Sequence, residues 1–115
     1  MDDAILLTIP TSPQHLSVAT LVLGGVGSRL QLPYEKVDDL QLASLSVLAA
    51  SDGETVTLEI HARDEEVSVG IGPLSLGSSD DQSLRRVLDR LVHGVETSGR
   101  DGHEWLTLRV RRDNR

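Results

Sequence analysis

The pattern of apolar positions divides the chain into strands and helices, beginning with a short strand. The run from Ala4 to Ile9 is apolar and favours β-structure, and Pro10 ends it because proline cannot continue a central ladder. A helix is then predicted from Ser12, whose hydroxyl can cap free amides, and Pro13, which suits the first helical position. The apolar residues that follow recur at spacings of three and four, as one buried helix face requires: Leu16, Ala19, Leu23, Val26 and Leu30.

Three glycines lie inside this helical pattern, at Gly24, Gly25 and Gly27. They do not follow a strand, so they do not fit a dinucleotide-binding loop. Each weakens the helix by up to about 1 kcal/mol relative to alanine. We expect them to permit close packing of a neighbouring helix, with a self-association contact as the alternative.

A second helix is predicted from about Tyr34 to Ser51, after the break at Leu32-Pro33. Acidic residues in its first turns suit the positive end of the helix dipole. Apolar positions cover so much of its circumference that we expect neighbours on both sides. They are Val37, Leu40, Val47 and Leu48 with Ser44 on one face, and Leu42, Leu45 and Ala49 beside it.

Alternation of apolar and polar residues predicts three further strands, each with one buried face. The first two form a hairpin around the polar segment 63–66, and the last runs near the C-terminus. Their alternating apolar residues are Val56, Leu58 and Ile60, then Val67, Val69 and Ile71, then Leu106, Leu108 and Val110.

A third helix is predicted between the hairpin and the last strand. Residues 72–79 form a loop rich in glycine and serine, and Asp80 or Asp81 can cap the helix. Residues 97–102 are predicted to turn, and residues 113–115 to form a tail. The apolar stripe of this helix is the clearest in the chain: Leu84, Val87, Leu88, Leu91, Val92 and Val95.

The predicted order is therefore β-α-α-β-β-α-β. It favours an α/β (α+β) two-layer sandwich with a mixed four-stranded sheet and three helices on one face. No internal repeat or linker divides residues 1–115, so we expect a single domain.

Composition narrows the classes of function without choosing one. The 11 Lys and Arg residues against 18 Asp and Glu residues give a net charge of −7, which opposes binding to nucleic-acid phosphates. The absence of cysteine excludes a disulfide framework, a thiolate zinc site and a cysteine nucleophile. No apolar run approaches the roughly 20 residues of a membrane-spanning helix, and the start Met1-Asp2-Asp3 is acidic where a signal peptide is basic. We expect a cytoplasmic protein.

Three strings of residues, spread over nearly the whole chain, occur in the order found in a known family of proteins. They are Leu7-Thr8-Ile9-Pro10 with Pro13, the segment from Leu32-Pro33-Tyr34 to Asp39-Leu40-Gln41-Leu42-Ala43, and Leu84-Arg85-Arg86-Val87-Leu88-Asp89-Arg90-Leu91-Val92 before a terminal strand. This arrangement resembles the ATPase domain shared by DNA gyrase, the heat-shock chaperone, histidine kinases and mismatch-repair ATPases. Within that superfamily it is most similar to the bacterial anti-sigma-factor serine/threonine kinases. The resemblance implies a histidine-kinase-like ATPase fold.

The resemblance also implies where a nucleotide would bind. The family's long helix carries a Glu that activates water or a hydroxyl and, four residues later, an Asn that helps to hold magnesium. Ser46 and Ala50 occupy these two positions here. Serine is a poor base at neutral pH, and alanine offers no ligand to a metal.

Two further family motifs are altered. In the Asp-x-Gly-x-Gly motif, the Asp accepts a hydrogen bond from the adenine amino group, and Ile71, or another apolar neighbour, stands at that position before Gly72. The glycine-rich lid is reduced to a short segment containing Gly77 and ending in Asp80-Asp81, which would repel a triphosphate. We therefore expect an empty or blocked pocket that binds neither ATP nor magnesium.

Other candidate features have simpler interpretations. The string Gly70-Ile71-Gly72 favours a strand end or bulge over a phosphate loop. The four histidines, His15, His61, His93 and His103, have no metal-ligand spacing, so no metal site is expected. The carboxylates around the hairpin, Glu54, Glu59, Asp64, Glu65 and Glu66, lie on outward positions typical of a solvated face.

Four positions are candidates for binding a partner. Arg109 and Arg111 belong to a basic C-terminal run with Arg112 and Arg115, which guards an edge strand or docks an acidic partner. By alternation Trp105 faces away from the core, either as an interface anchor or covered by the N-terminal segment. Leu6 lies on the second face of a strand that is apolar on both faces, so a second subunit or Trp105 is expected to cover it.

Three functions remain open from the sequence. The first is a non-catalytic regulator that resembles an anti-sigma factor, binds a sigma factor or an anti-sigma antagonist, and forms a homodimer. The second is an ATP-dependent serine/threonine kinase with unusual site residues. The third is a generic small α/β domain with a structural or ligand-binding role.

Overall fold

A computed structural model describes residues 3–112 of the chain, as five strands, three helices and one 3-10 turn. Met1, Asp2 and the predicted tail 113–115, with Arg115 of the basic run, lie outside the described residues. The strands are β1 (Asp3–Pro10), β2 (Thr55–Ala62), β3 (Glu66–Leu74), β4 (Gly94–Arg100) and β5 (His103–Arg111). The helices are α1 (Pro13–Arg29), α2 (Tyr34–Ala49) and α3 (Gln82–Leu91), and the 3-10 turn is Ser78–Asp80.

The five strands form one sheet in the order β1-β2-β3-β5-β4, and every neighbouring pair is antiparallel. The helices cover one face, which we call the inner face, and the apolar residues of β2, β3 and β5 point into it. The predicted two-layer sandwich is confirmed. The prediction of a mixed sheet of four strands is wrong.

The additional strand is β4, which replaces the predicted helix end at Val95 and the predicted turn at 97–102. α3 ends at Leu91, and Val92 already has extended backbone angles. The β4–β5 hairpin closes on Asp101 and Gly102, both with positive φ, and an Asp-Gly pair of this kind favours the tight turn that matches strand twist. The two valines continued the helical spacing by coincidence, since Val95 also packs against the core from β4.

The core between the layers is aliphatic. Leu88 of α3 is fully buried, while Leu91 is only partly buried at the edge of the same cluster. Gly27 confirms the expected close approach of two helices, because a Cβ there would lie 2.5 Å from a methyl carbon of Val37 on α2. Gly25, by contrast, faces open space.

The two predicted helix caps differ in outcome. Asp81 caps α3, accepting hydrogen bonds from the amides of Ser83 (2.9 Å) and Leu84 (3.2 Å). Ser12 occupies the cap position of α1, but its hydroxyl makes no capping bond and instead contacts Nδ1 of His15 at 2.7 Å. The nearby imidazole competes for the hydroxyl that the amides would otherwise use.

Candidate functional site

The two positions that match the family's Glu and Asn, in α2 and just after it, carry no side-chain group that is available as a base or a metal ligand. The hydroxyl of Ser46 donates to the carbonyl of Leu42 at 2.9 Å, one turn earlier in the same helix. This bond satisfies the hydroxyl within the helix backbone. Ala50 follows the last residue of α2 and is exposed, with a methyl group as its only side-chain atom. Neither residue offers a base or a metal ligand here.

The two positions on β3 lie on opposite faces of the sheet. Ile71 is fully buried in the core between the helices and the sheet, opposite Leu58 of β2 and Leu106 of β5. Gly72 faces the other side, which we call the outer face, where the ring of Trp105 lies on it. A Cβ at Gly72 would approach Cε2 of that ring to 2.6 Å. The register of β3 and β5 shifts just after Ile71, which confirms the expected irregularity at this string.

The short loop before α3 is held by a carboxylate of the chain itself. Gly77 has a left-handed backbone, and its amide donates to Oε2 of Glu104 at 2.8 Å, while the amide of Ser79 donates to Oε1 at 3.0 Å. These donors stabilise the charged form, so the pKa of Glu104 is lowered from its ordinary value. The loop amides that could meet an external anion therefore already hold an internal one.

A second bond fixes the same loop on its other side. The hydroxyl of Ser75 lies 2.8 and 2.7 Å from the two carboxylate oxygens of Asp52, which follows α2. Glu104 and Asp52 thus tie the loop to β5 and to the end of α2. The sequence singled out neither residue, because each is an isolated acid on a polar segment.

The outer face carries a chain of contacts centred on Trp105. The guanidinium of Arg100 stacks over the indole ring, 4.2 Å from its centroid, and donates to both carboxylate oxygens of Glu59 at 2.8 and 3.1 Å. The stack and the paired bonds strap β4 and β5 to β2 across β3. Trp105 faces the outer side, as alternation predicted, and its covering comes from Arg100 and Gly72.

The other partner-binding candidates lie apart from one another. Leu6 on the outer face of β1 is 68% exposed, so no described residue covers it. Arg109 is half-buried and pairs with Glu96 at 2.6 Å, whereas Arg111 is exposed beside a small cleft with Lys36 and His93. The expected basic stripe is therefore divided: Arg109 is held in an ion pair, Arg112 donates to the carbonyl of Arg63 at 2.6 Å, and Arg111 is exposed.

Three of the five positions that match the family's nucleotide site are occupied by contacts within the chain. Ile71 lies within the core, Gly72 lies under Trp105, and the amide of Gly77 is occupied by Glu104. Within residues 3–112, no three His, Asp or Glu side chains are close enough to hold a metal ion. Over the same residues, no helix is long and apolar enough to cross a membrane.

Comparison with known proteins finds bacterial kinases as relatives. The chain is 30% identical over 95 residues to the serine-protein kinase RsbW of Listeria innocua, and equally to that of Listeria monocytogenes, over 75% of this chain. It is 31% identical over 75 residues to the serine-protein kinase RsbW of Oceanobacillus iheyensis, covering 61% of this chain and 42% of that protein. The match spans 59% of the length of the Listeria relatives. No family model matches the chain.

Proposed function

Because the chain belongs to the family of bacterial anti-sigma-factor serine/threonine kinases, we propose that it is a cytoplasmic regulator that binds proteins and has lost nucleotide chemistry. In this proposal the framework of the family is kept, and the nucleotide pocket is degenerate. The partner is a sigma factor or an anti-sigma antagonist.

One observation carries the proposal: the carboxylate of Glu104 occupies the amides of Gly77 and Ser79. In the resembled family the loop before the last helix wraps the phosphates of ATP. Here that loop already surrounds a negative charge, and a triphosphate would have to displace it. At the two family positions in α2 and just after it, the hydroxyl of Ser46 and the methyl group of Ala50 add no base and no magnesium ligand.

We expect the melting temperature to be unchanged by Mg-ATP or Mg-ADP at millimolar concentration. A ligand present at 100 times its dissociation constant stabilises a folded protein by about 2.7 kcal/mol. In a domain of this size that corresponds to a rise on the order of 10 °C in a thermal-shift assay.

Two controls make this result decisive. Glu104→Gln removes the charge in the loop. Ser46→Glu with Ala50→Asn restores the family's groups at the two positions in α2 and just after it. Nucleotide binding by one of these variants, but not by the parent, would identify the group that prevents binding in the parent. A magnesium-dependent shift in the parent protein contradicts the proposal.

The second candidate function is an ATP-dependent serine/threonine kinase. It is favoured by the relatives, each of which is named a serine-protein kinase. The two candidates differ in one product: a kinase transfers the γ-phosphate of ATP to a protein hydroxyl, and the proposed regulator transfers none. Incubation of the protein and a co-purified partner with labelled ATP distinguishes them.

We also propose that the protein is a homodimer in which the outer faces around Leu6 meet. A strand with apolar residues on both faces is expected to be covered on both, and Leu6 is 68% exposed in the single chain. A twofold axis would bring the same patch of each subunit together.

Leu6→Glu is expected to convert the dimer to a monomer of 12.5 kDa in sedimentation at high micromolar concentration, without changing the far-UV spectrum. Charge repulsion between two closely placed glutamates opposes the twofold contact. Leu21→Glu is the matched control, because Leu21 is 76% exposed on α1, away from the sheet. A parent protein that sediments as a monomer refutes this interface.

A further inference from the structure

We propose that the free edge of β1, together with the cleft beside it, docks an extended segment of a partner protein. The segment carries an apolar side chain and, two residues away, a carboxylate. This inference rests on the proposed protein-binding function and names the chemistry of the partner segment.

The first observation is an unprotected sheet edge. β1 is the last strand in the sheet order, and among the described strands it pairs only with β2, so one row of its backbone donors and acceptors faces outward. Natural edge strands usually carry charges or proline that prevent pairing with another chain. From Ala4 to Ile9 the strand has neither, and its one charged residue, Asp3, and its proline, Pro10, stand only at its two ends.

The second observation is a mostly apolar cleft next to that edge. It measures about 370 Å³, within the range of sites that hold small groups, and lies between β1, β2 and the last turns of α1. Ile5 forms one wall and is 43% exposed although it points toward the helices. The other apolar lining residues are Val26, Leu30, Ile60 and Ala62.

The third observation is the cation in the same cleft. Arg29, in the last turn of α1, lines the cleft and is exposed, and no hydrogen bond or ion pair joins its side chain to any part of the chain that the structure describes. A guanidinium beside an apolar cleft is suited to a carboxylate that enters with an apolar side chain.

Strand geometry connects the three observations. A segment added to the edge of β1 directs every second side chain toward α1, and successive side chains on that face lie about 7 Å apart. One of them fills the cleft against Ile5 and Val26, and the next on the same face reaches Arg29. The docked segment of the partner therefore has the sequence pattern apolar-x-acidic.

A second copy of β1 fits this edge less well. In a symmetric antiparallel pairing centred on Leu6, the residues brought toward the start of β1 are Leu7 and Ile9 of the second copy, neither of which is acidic. Arg29 would then meet no carboxylate. A different protein segment is therefore the occupant that matches the charge.

The test uses three capped peptides and the ¹⁵N-labelled chain of 115 residues. The first is acetyl-Thr-Thr-Leu-Thr-Glu-Thr-Thr-amide, the second replaces its Glu by Gln, and the third keeps the Glu but carries N-methyl groups on alternate backbone amides. We expect the first peptide to shift the amide signals of β1 saturably and to bind about tenfold more tightly than the Gln peptide. Because the protein has a net charge of −7, general electrostatics would favour the opposite order.

A matched pair of variants assigns the preference to one residue. Arg29→Gln is expected to reduce the tenfold preference to less than twofold, and Arg86→Gln, which changes an exposed arginine on α3, is expected to preserve it. Methylation of alternate backbone amides is expected to abolish binding when the methylated amides are those that face β1. It removes the donors that pair with the edge.

Four results would overturn the inference. They are no shift in β1 at millimolar peptide, equal affinity for the Glu and Gln peptides, a preference that survives Arg29→Gln, and, in the monomeric Leu6→Glu variant, β1 signals that move with protein concentration alone, which would assign the edge to a second copy. None of these results bears on nucleotide binding. A melting temperature unchanged by Mg-ATP would therefore remain valid in each case.

Discussion

Leu88→Ala is expected to lower the free energy of unfolding by about 2–5 kcal/mol. Leu88 is fully buried where α3 packs on the inner face of the sheet, so truncation leaves a cavity that the surrounding aliphatic side chains fill only in part. A loss of this size is a large fraction of the 5–15 kcal/mol typical of a small domain. Urea denaturation measures it directly.

The control for this change is Arg90→Ala, an exposed position on the same helix, with an expected effect of about 0.5 kcal/mol or less. Leu91→Ala should fall between the two, because part of the Leu91 side chain already faces water. A Leu88→Ala protein that unfolds at the same urea concentration as the parent would contradict the packing of α3 on the sheet.

Gly72→Ala is expected to lower the free energy of unfolding by about 1–3 kcal/mol and to release the ring of Trp105. The new Cβ would lie 2.6 Å from Cε2 of the indole, so the ring must leave the sheet. Its departure also breaks the stack with Arg100 that leads to Glu59. Trp105 is the single tryptophan, so its fluorescence reports the movement without ambiguity.

Two variants separate this clash from a general effect of adding a methyl group. Gly25→Ala has open space around the new Cβ and lies in a helix, where alanine is favoured, so its stability should match or exceed that of the parent. The double variant with Gly72→Ala and Trp105→Ala should lose much less free energy of unfolding than the sum of the losses in the two single variants. Additive losses would show that the methyl group and the ring do not compete for the same space.

Much of this fold follows from periodicity alone. The alternating residues of β2, β3 and β5 and the stripe of α3 have the spacing of elements with one buried face, and the structure places them there. The spacing failed at Val92 and Val95, which continue the helical stripe although Val92 has extended backbone angles and Val95 lies in the edge strand β4. The Asp101-Gly102 turn was the local signal that could have separated the two.

The surroundings of the candidate site were harder to predict, because they depend on contacts between distant parts of the chain. Glu104 meets an amide 27 residues away, and Arg100 meets a carboxylate 41 residues away. Single charged residues on polar strands give no periodic signal that would reveal such pairs. The altered residues Ser46, Ala50 and Ile71 were identified only through the family resemblance, since nothing in their own pattern marks a nucleotide site.

We propose that the loop and strand positions matching the family's nucleotide site do not bind a nucleotide in this protein. The most direct measurement is a titration of ¹⁵N-labelled protein with Mg-ATP to several millimolar, following the amides of Ala50, Ile71, Gly77 and Ser79. We predict that these four signals stay in place while Glu104 continues to hold the loop. Saturable movement of the Gly77 and Ser79 amides, lost when magnesium is removed, would contradict the account.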